Sequence, residues 1–228
     1  MFTSGGDAPT PKGQATRARI VEAALGLFAT KGFGATTLRD IAGEAGVSLG
    51  LTYRYFRTKE DLVVVLYEDV ARRVSDHVPR LPKGTIADRF AALVAHKLRI
   101  LSPNKEPFAA LLVAALDPTS KASVLGDASS ATREAMRTAF RALVDGAEDA
   151  PPEGSDAIAL TLYAAHLLLL LVWVHDTTPG ARRTRDILGA MGDAIGFARP
   201  FLAAPGALPA LERACATLAP VFWKEKAR

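Results

Sequence analysis

Between Ser48 and Lys59 the chain sets Tyr53, Arg54 and Tyr55 side by side, with Ser48 ahead of them and Lys59 behind. Phenol and guanidinium groups donate hydrogen bonds to phosphate oxygens, and a lysine beside the positive end of a helix attracts the same anions. The chemistry implied is grip on a polyanion such as DNA rather than bond making. A second group, Tyr163, His166 and Trp173, lies on one apolar segment. His166 and Trp173 are seven residues apart and nearly share a helical face, with Tyr163 about one sector away, so the three can line a pocket. Metal chemistry is not expected. His166 and His175 are nine residues apart, on opposite faces of one helix, and no Cys-His or His-x-x-x-His cluster exists. Beyond residue 60 the acidic residues fall at caps and on polar faces beside basic ones, so no convergent acid, base or nucleophile set marks an enzyme, and no cofactor is expected. The single cysteine, Cys215, rules out an intramolecular disulfide, fits a reducing compartment and reads as the filler of a helix face.

The polyanion-binding residues must be held by short helices. Gly46 suits the left-handed end of one helix and Ser48 caps the next, which makes a helix-turn-helix junction. Before it, Thr37 and Asp40 have the spacing of a capping box, and Leu38, Ile41, Ala42 and Ala45 share a face. After it, Thr58 with Asp61 caps a further helix and brings Lys59 to that helix's positive end. Upstream, Ile20, Ala24, Leu27 and Phe28 recur at helical spacing before Gly32 and Gly34.

Over roughly residues 14 to 65 these motifs, from Thr16-Arg17-Ala18-Arg19-Ile20 through Gly46-Val47-Ser48 and Tyr53-Arg54-Tyr55-Phe56 to Thr58-Lys59-Glu60-Asp61-Leu62, resemble the tetracycline-repressor (TetR) family of bacterial transcription regulators. The resemblance implies a DNA-contacting set of Thr36, Thr37, Ser48, Leu49, Gly50, Leu51, Tyr53, Arg54, Tyr55 and Lys59. Two departures stand out. The family usually has a polar or basic residue where Leu49 stands and Leu or Ile where Thr52 stands. Thr52 lies four residues before Phe56 and should face the core, where its hydroxyl needs a partner. Leu49 and Leu51 are left near the groove side, where they can touch thymine methyl groups but cannot make the bidentate guanine contact. Either the helix reads DNA partly through methyl contact and shape, or Leu51 rotates inward and the helix sits differently.

Length and composition support two helical domains. With 228 residues and 49% apolar content the chain can bury a sizeable core, and the basic excess is at the N-terminal end: residues 1 to 60 carry +3 and the remainder +1. The expected divisions are a disordered arm over 1–13, in which Lys12 can reach a minor groove, a helix-turn-helix domain over 14–60, and a ligand-binding and dimerisation domain over 61–228. The arm lacks the apolar core and cleavage site of a signal peptide, so a cytoplasmic protein is expected. Punctuation predicts helices over Thr58–Val78, Thr85–Leu101, Glu106–Leu116, Ser129–Glu148, Ser155–His175, Pro179–Phe201 and Pro205–Trp223, making an all-α fold of about ten helices, one more than the family's commonest number. Ala157 to Val174 has the length of a membrane span, but Thr161, Tyr163 and His166 interrupt it and Asp156 and Asp176 bound it. A helix apolar on all sides belongs where one face meets its own domain and another a second subunit.

The resemblance adds that the Ser155–His175 and Pro179–Phe201 helices build a homodimer, with apolar surface from Ile187, Met191, Ile195 and Phe197 and close approach at Gly189, Gly192 and Gly196. It adds an inducer site among helices 4 to 8, which makes Phe108, Leu112, Met136 and Phe140 candidates beside Tyr163, His166 and Trp173. The function implied is a repressor released from a palindromic operator by a small apolar ligand. A ligand-independent repressor or an activator is the alternative, and an all-helical enzyme or a structural protein the remote one.

Overall fold

The computed structural model describes residues 10–223, which form ten α-helices joined by turns and short 3₁₀ segments, with no strand among the described residues. The first three helices, α1 (Pro11–Lys31), α2 (Leu38–Glu44) and α3 (Leu49–Tyr55), make a small head. The remaining helices, α4 (Lys59–Ser75), α5 (Ile86–Leu101), α6 (Lys105–Leu116), α7 (Ser130–Asp145), α8 (Ser155–His175), α9 (Arg182–Ala198) and α10 (Ala207–Phe222), make the body.

Caps set most starts. Thr37 with Asp40, Thr58 with Asp61 and Thr85 with Asp88 each form a reciprocal capping box, and Ser48 accepts from the backbone N–H of Leu51. Helix α1 begins earlier than expected. Thr10 is its cap and Pro11 supplies the preset φ of a first turn, so residues 11–13 of the expected arm are helical, and Lys12 stands in that first turn. Residues 1–9 of that arm lie outside the described residues. Helix α9 starts later than Pro179, because Gly180 at φ 61° and Ala181 at φ 53° take left-handed conformations that no α-helix continues through. Gly206, at φ 84°, likewise delays α10 past Pro205.

Two main apolar cores result, and a small third cluster of Ala157, Leu160 and Cys215 joins α8 to α10. The larger gathers Phe90 and Leu93 of α5, Phe140 and Leu143 of α7, and Leu169 and Trp173 of α8. Helix α8 is the body's central element, packed on α6, α7, α9 and α10, which accounts for its membrane-like composition. The smaller core holds Ile20 and Phe28 of α1, Ile41 of α2, Phe56, and Leu62 and Val63 of α4, but also Leu111 and Ala114 of α6. The head is therefore joined to the body twice, through α4 and through the packing of α1 on α6.

Candidate nucleic-acid interface and ligand cavity

Helix α3 projects from the head because its inward face is narrow. Thr52 and Phe56 are buried, and the Thr52 hydroxyl finds its partner in the Ser48 carbonyl at 3.2 Å. Neither Leu49 nor Leu51 enters the head's apolar core, and both are half-buried. Leu51 thus stays outside that core, and Thr52 fills the inward position. Gly50, Tyr53 and Arg54 are exposed on α3, Tyr53 to 52%, and Arg57 is exposed in the bend that follows the helix. Tyr55 instead packs half-buried on the head's core.

The second half of the turn is braced from α1. Arg19 donates to the carbonyls of Ala45 at 2.5 Å and Gly46 at 3.2 Å, where Gly46 turns with φ 62°. Asp40 accepts from the Lys31 ammonium at 2.6 Å and from Thr37, and these bonds hold its carboxyl down at about 2.

Two expected DNA contacts are corrected. Thr36 is 1% exposed, and its hydroxyl donates to the Gly32 carbonyl at 2.7 Å, so it closes the α1–α2 turn instead of facing solvent. The Lys59 ammonium donates to the carbonyls of Phe33, Gly34 and Thr36 at 2.6, 2.9 and 3.1 Å, and lies 4.5 Å from the Phe33 ring centroid. Its three N–H donors are spent on the loop after α1, and none is left for a phosphate. Arg39 and Arg57, which the sequence reading passed over, are both exposed on the head.

The ligand candidates separate into three groups. Met136, Tyr163 and Phe108 line one cavity of about 90 Å³, and Phe108 and Leu112 line an adjoining apolar groove of about 230 Å³ that runs past Leu167 and Leu170. Phe140 and His166 are packed together in the body's core, with ring centroids 4.8 Å apart. Trp173 faces a different hollow beside Lys105 and Asp176. Pocket and packing residues share a face of α8, so periodicity alone does not part them. Sequence reasoning missed Tyr67, Lys97, Thr132 and Arg133, all on the cavity wall. The signal was present: Lys97 interrupts the apolar stripe Leu93, Val94, Leu98 and Leu101, and Arg133 stands in the stripe that continues through Met136 and Phe140.

The electrostatics of this wall are unusual. His166 Nδ1 faces the Tyr163 carbonyl, which can only accept, so Nδ1 carries the proton and Nε2 accepts from the Lys97 ammonium at 3.0 Å. Burial, followed by the charge of Lys97, holds the His166 pKa well below the ordinary histidine value. Burial also brings Lys97 down to about 8 and pushes the Tyr163 phenol up to about 12.

Known proteins agree with this architecture. Residues 20–66 match the profile of the bacterial regulatory proteins of the tetR family. The chain is 38% identical over 68 residues to the HTH-type transcriptional regulator HbdR of Aromatoleum sp., covering 30% of each chain. It is 31% identical over 96 residues to the HTH-type transcriptional repressor KstR2 of Mycobacterium tuberculosis, covering 37% of this chain and 48% of that one. These matches span less than half the length of either relative. The TetR transcriptional regulator from Nitrosomonas europaea superposes with a TM-score of 0.63 at 19% identity, covering 80% of this chain and 99% of that one, which extends the likeness of fold through the body. The head thus resembles the TetR family of bacterial transcription regulators in sequence, and most of the chain resembles a solved TetR regulator in fold.

Proposed function

We propose that this protein is a homodimeric repressor that binds a roughly palindromic operator and is released from it by a small, mostly apolar ligand. The observation that carries the reading is the solvent-facing side of α3, where Tyr53 and Arg54 stand beside the side-chain-free position Gly50, with Arg57 exposed in the bend just after the helix. Tyr53, Arg54 and Arg57 grip phosphates, while Leu49 and Leu51, excluded from the head's core, meet base edges and prefer thymine methyl groups. One short helix buries too little surface for tight binding, so two heads must act together.

The dimer face belongs to α8 and α9. On α8, Thr161, Leu168, Val172 and His175 form an exposed stripe at helical spacing, Leu168 being 67% exposed. On α9, Ile187 and Phe197 are exposed, Phe197 to 74%, and a Cβ at Gly189, Gly192 or Gly196 would meet nothing within 4 Å. Met191 and Ile195, expected on the same surface, turn toward the body's core instead.

Ligand response depends on how the head is attached. Tyr67 of α4 and Phe108 of α6 line the cavity, and the same two helices supply Leu62, Val63, Leu111 and Ala114 to the head's core. A ligand that spreads α4 from α6 therefore re-aims both heads. It relieves repression only by its difference in affinity for the two states, and about 3 kcal/mol would loosen the operator roughly 150-fold.

The test is a mobility-shift titration on the DNA upstream of the protein's own gene, with salt varied. Arg54→Ala and Arg57→Ala should weaken binding to every sequence and each lower the salt slope by about one. Leu49→Ala or Leu51→Ala should change which bases are preferred. Unchanged affinity in both arginine variants would refute the docking face.

A further inference from the structure

The cavity between α4, α5, α7 and α8 is lined by more hydrogen-bond donors than the protein can satisfy. Lys97 uses one of its three N–H groups on His166 Nε2, and among the described residues no carboxylate pairs with it. The hydroxyl oxygens of Tyr67 and Thr132 are buried, line the same cavity, and have no hydrogen-bond partner among the described residues. Arg133, also on the wall, adds a second positive charge, although its own guanidinium is engaged by the carbonyls of Val124, Gly126 and Phe222.

Buried polar groups are as a rule partnered, so three such donors around one small space specify a complementary acceptor. It must be small, accept several hydrogen bonds at once and carry negative charge to answer the ammonium. A carboxylate has two oxygens with about four lone-pair sites and no proton of its own to place. The remainder of the ligand must be apolar: Tyr67, Phe108, Val124, Leu167 and Leu170 line both the cavity and the groove beyond, and that groove is walled almost wholly by leucine, valine and aromatic carbon. Together the two spaces reach the lower end of the roughly 300–1,000 Å³ range of small-molecule sites.

We propose that this site binds an apolar monocarboxylic acid, with Lys97 pairing with the carboxylate, the Tyr67 and Thr132 hydroxyls donating to its oxygens, and the hydrocarbon body lying along the Phe108–Leu170 groove. The proposal rests on the reading of the body as a ligand-responsive domain and names the class of its ligand. The depressed pKa of Lys97 agrees with a cation that lacks an anion in the unliganded chain.

Calorimetric titration of the full-length protein at neutral pH tests it with decanoic acid, 4-phenylbutyric acid, methyl decanoate and 1-decanol. At least one acid should bind about tenfold or more tightly than the ester and the alcohol. Lys97→Met should bring that acid down to the ester's affinity, and Tyr67→Phe and Thr132→Val should each weaken it severalfold. Should Lys97→Met fail to fold, Lys97→Gln retains a donor without the charge and must show the same loss. An ester as tight as its acid, an acid indifferent to Lys97, or no binding of either acid would overturn the proposal, as would a site that takes up only water. Operator release is measured alongside. If a neutral compound releases DNA while the acids do not bind, the regulator reading stands and the carboxylate site falls. If an acid binds through Lys97 yet leaves DNA affinity unchanged, the site stands and the ligand-released repressor falls.

Discussion

Lys59 shows how a residue of the right type at the right position can be claimed by the fold. Its three short bonds tie the start of α4 to the loop after α1, and the Phe33 ring adds a cation–π contact. We predict that Lys59→Ala costs about 2 kcal/mol of stability, read as a lower melting temperature, because three carbonyls lose a charged donor. Its salt slope for DNA should stay at the wild-type value. A drop of about one, with no loss of stability, would return Lys59 to the phosphate contacts. Lys97 makes a second prediction at this scale. Its pKa is about 8 folded against 10.5 unfolded, so between those values the unfolded chain holds a proton the folded chain has released, and stability rises with pH across that window. Denaturant titrations of wild type and Lys97→Met should show wild type gaining on the variant by up to about 3 kcal/mol from pH 7 to pH 10.5. His166 acts at the other end: its lowered pKa means that stability is lost as pH falls below 6.5, where the unfolded ring takes up a proton that the folded ring refuses. A flat difference between wild type and Lys97→Met would show that the ammonium is solvated.

Among the elements, α6 is the one whose role exceeds its length. Its Leu111 is 2% exposed within the head's core, while Phe108, one turn earlier, lines the cavity proposed to take the ligand. Leu111→Ala should cost about 2–5 kcal/mol through the cavity it leaves. It should also shrink the ligand's effect on DNA affinity, because the α1–α6 packing through which the cavity reaches the head is loosened. Full ligand response in a folded Leu111→Ala protein would leave α4 as the sole route. Helix α10 has a holding role: its Phe222 carbonyl accepts from Arg133 at 2.5 Å, and the adjacent Trp223 ring N–H donates to the Arg133 carbonyl at 3.4 Å. The last helix thereby fixes a cavity-wall residue of α7.

For the whole molecule, the decisive property is the pair of exposed apolar stripes on α8 and α9. Leu168, Leu171 and Val172 of α8 and Ile187 and Phe197 of α9 are all exposed, and soluble monomers rarely leave large contiguous apolar patches in water. We predict that Leu168→Glu combined with Phe197→Glu gives a folded monomer by sedimentation and circular dichroism, with operator affinity reduced at least about a hundredfold, because two heads no longer bind as one. A variant that stays dimeric would place the interface elsewhere.

The sequence by itself determined the all-α fold, the caps of α2, α3, α4 and α5, the position of the helix-turn-helix and the full extent of α8. These are local properties: a threonine and an aspartate three residues apart satisfy each other's backbone wherever the helix lies, and an apolar period reports only its own element. Tertiary structure alone decided what Thr36 and Lys59 do, because their partners are carbonyls whose positions depend on how the turn after α1 packs on α4. It alone put Tyr163 on the cavity wall, His166 against it in the core and Trp173 beside another hollow, although the three occupy one side of a single helix. It alone assembled Tyr67, Lys97 and Thr132 from three helices into one polar corner, since nothing in a linear pattern records which neighbour a half-buried side chain will meet.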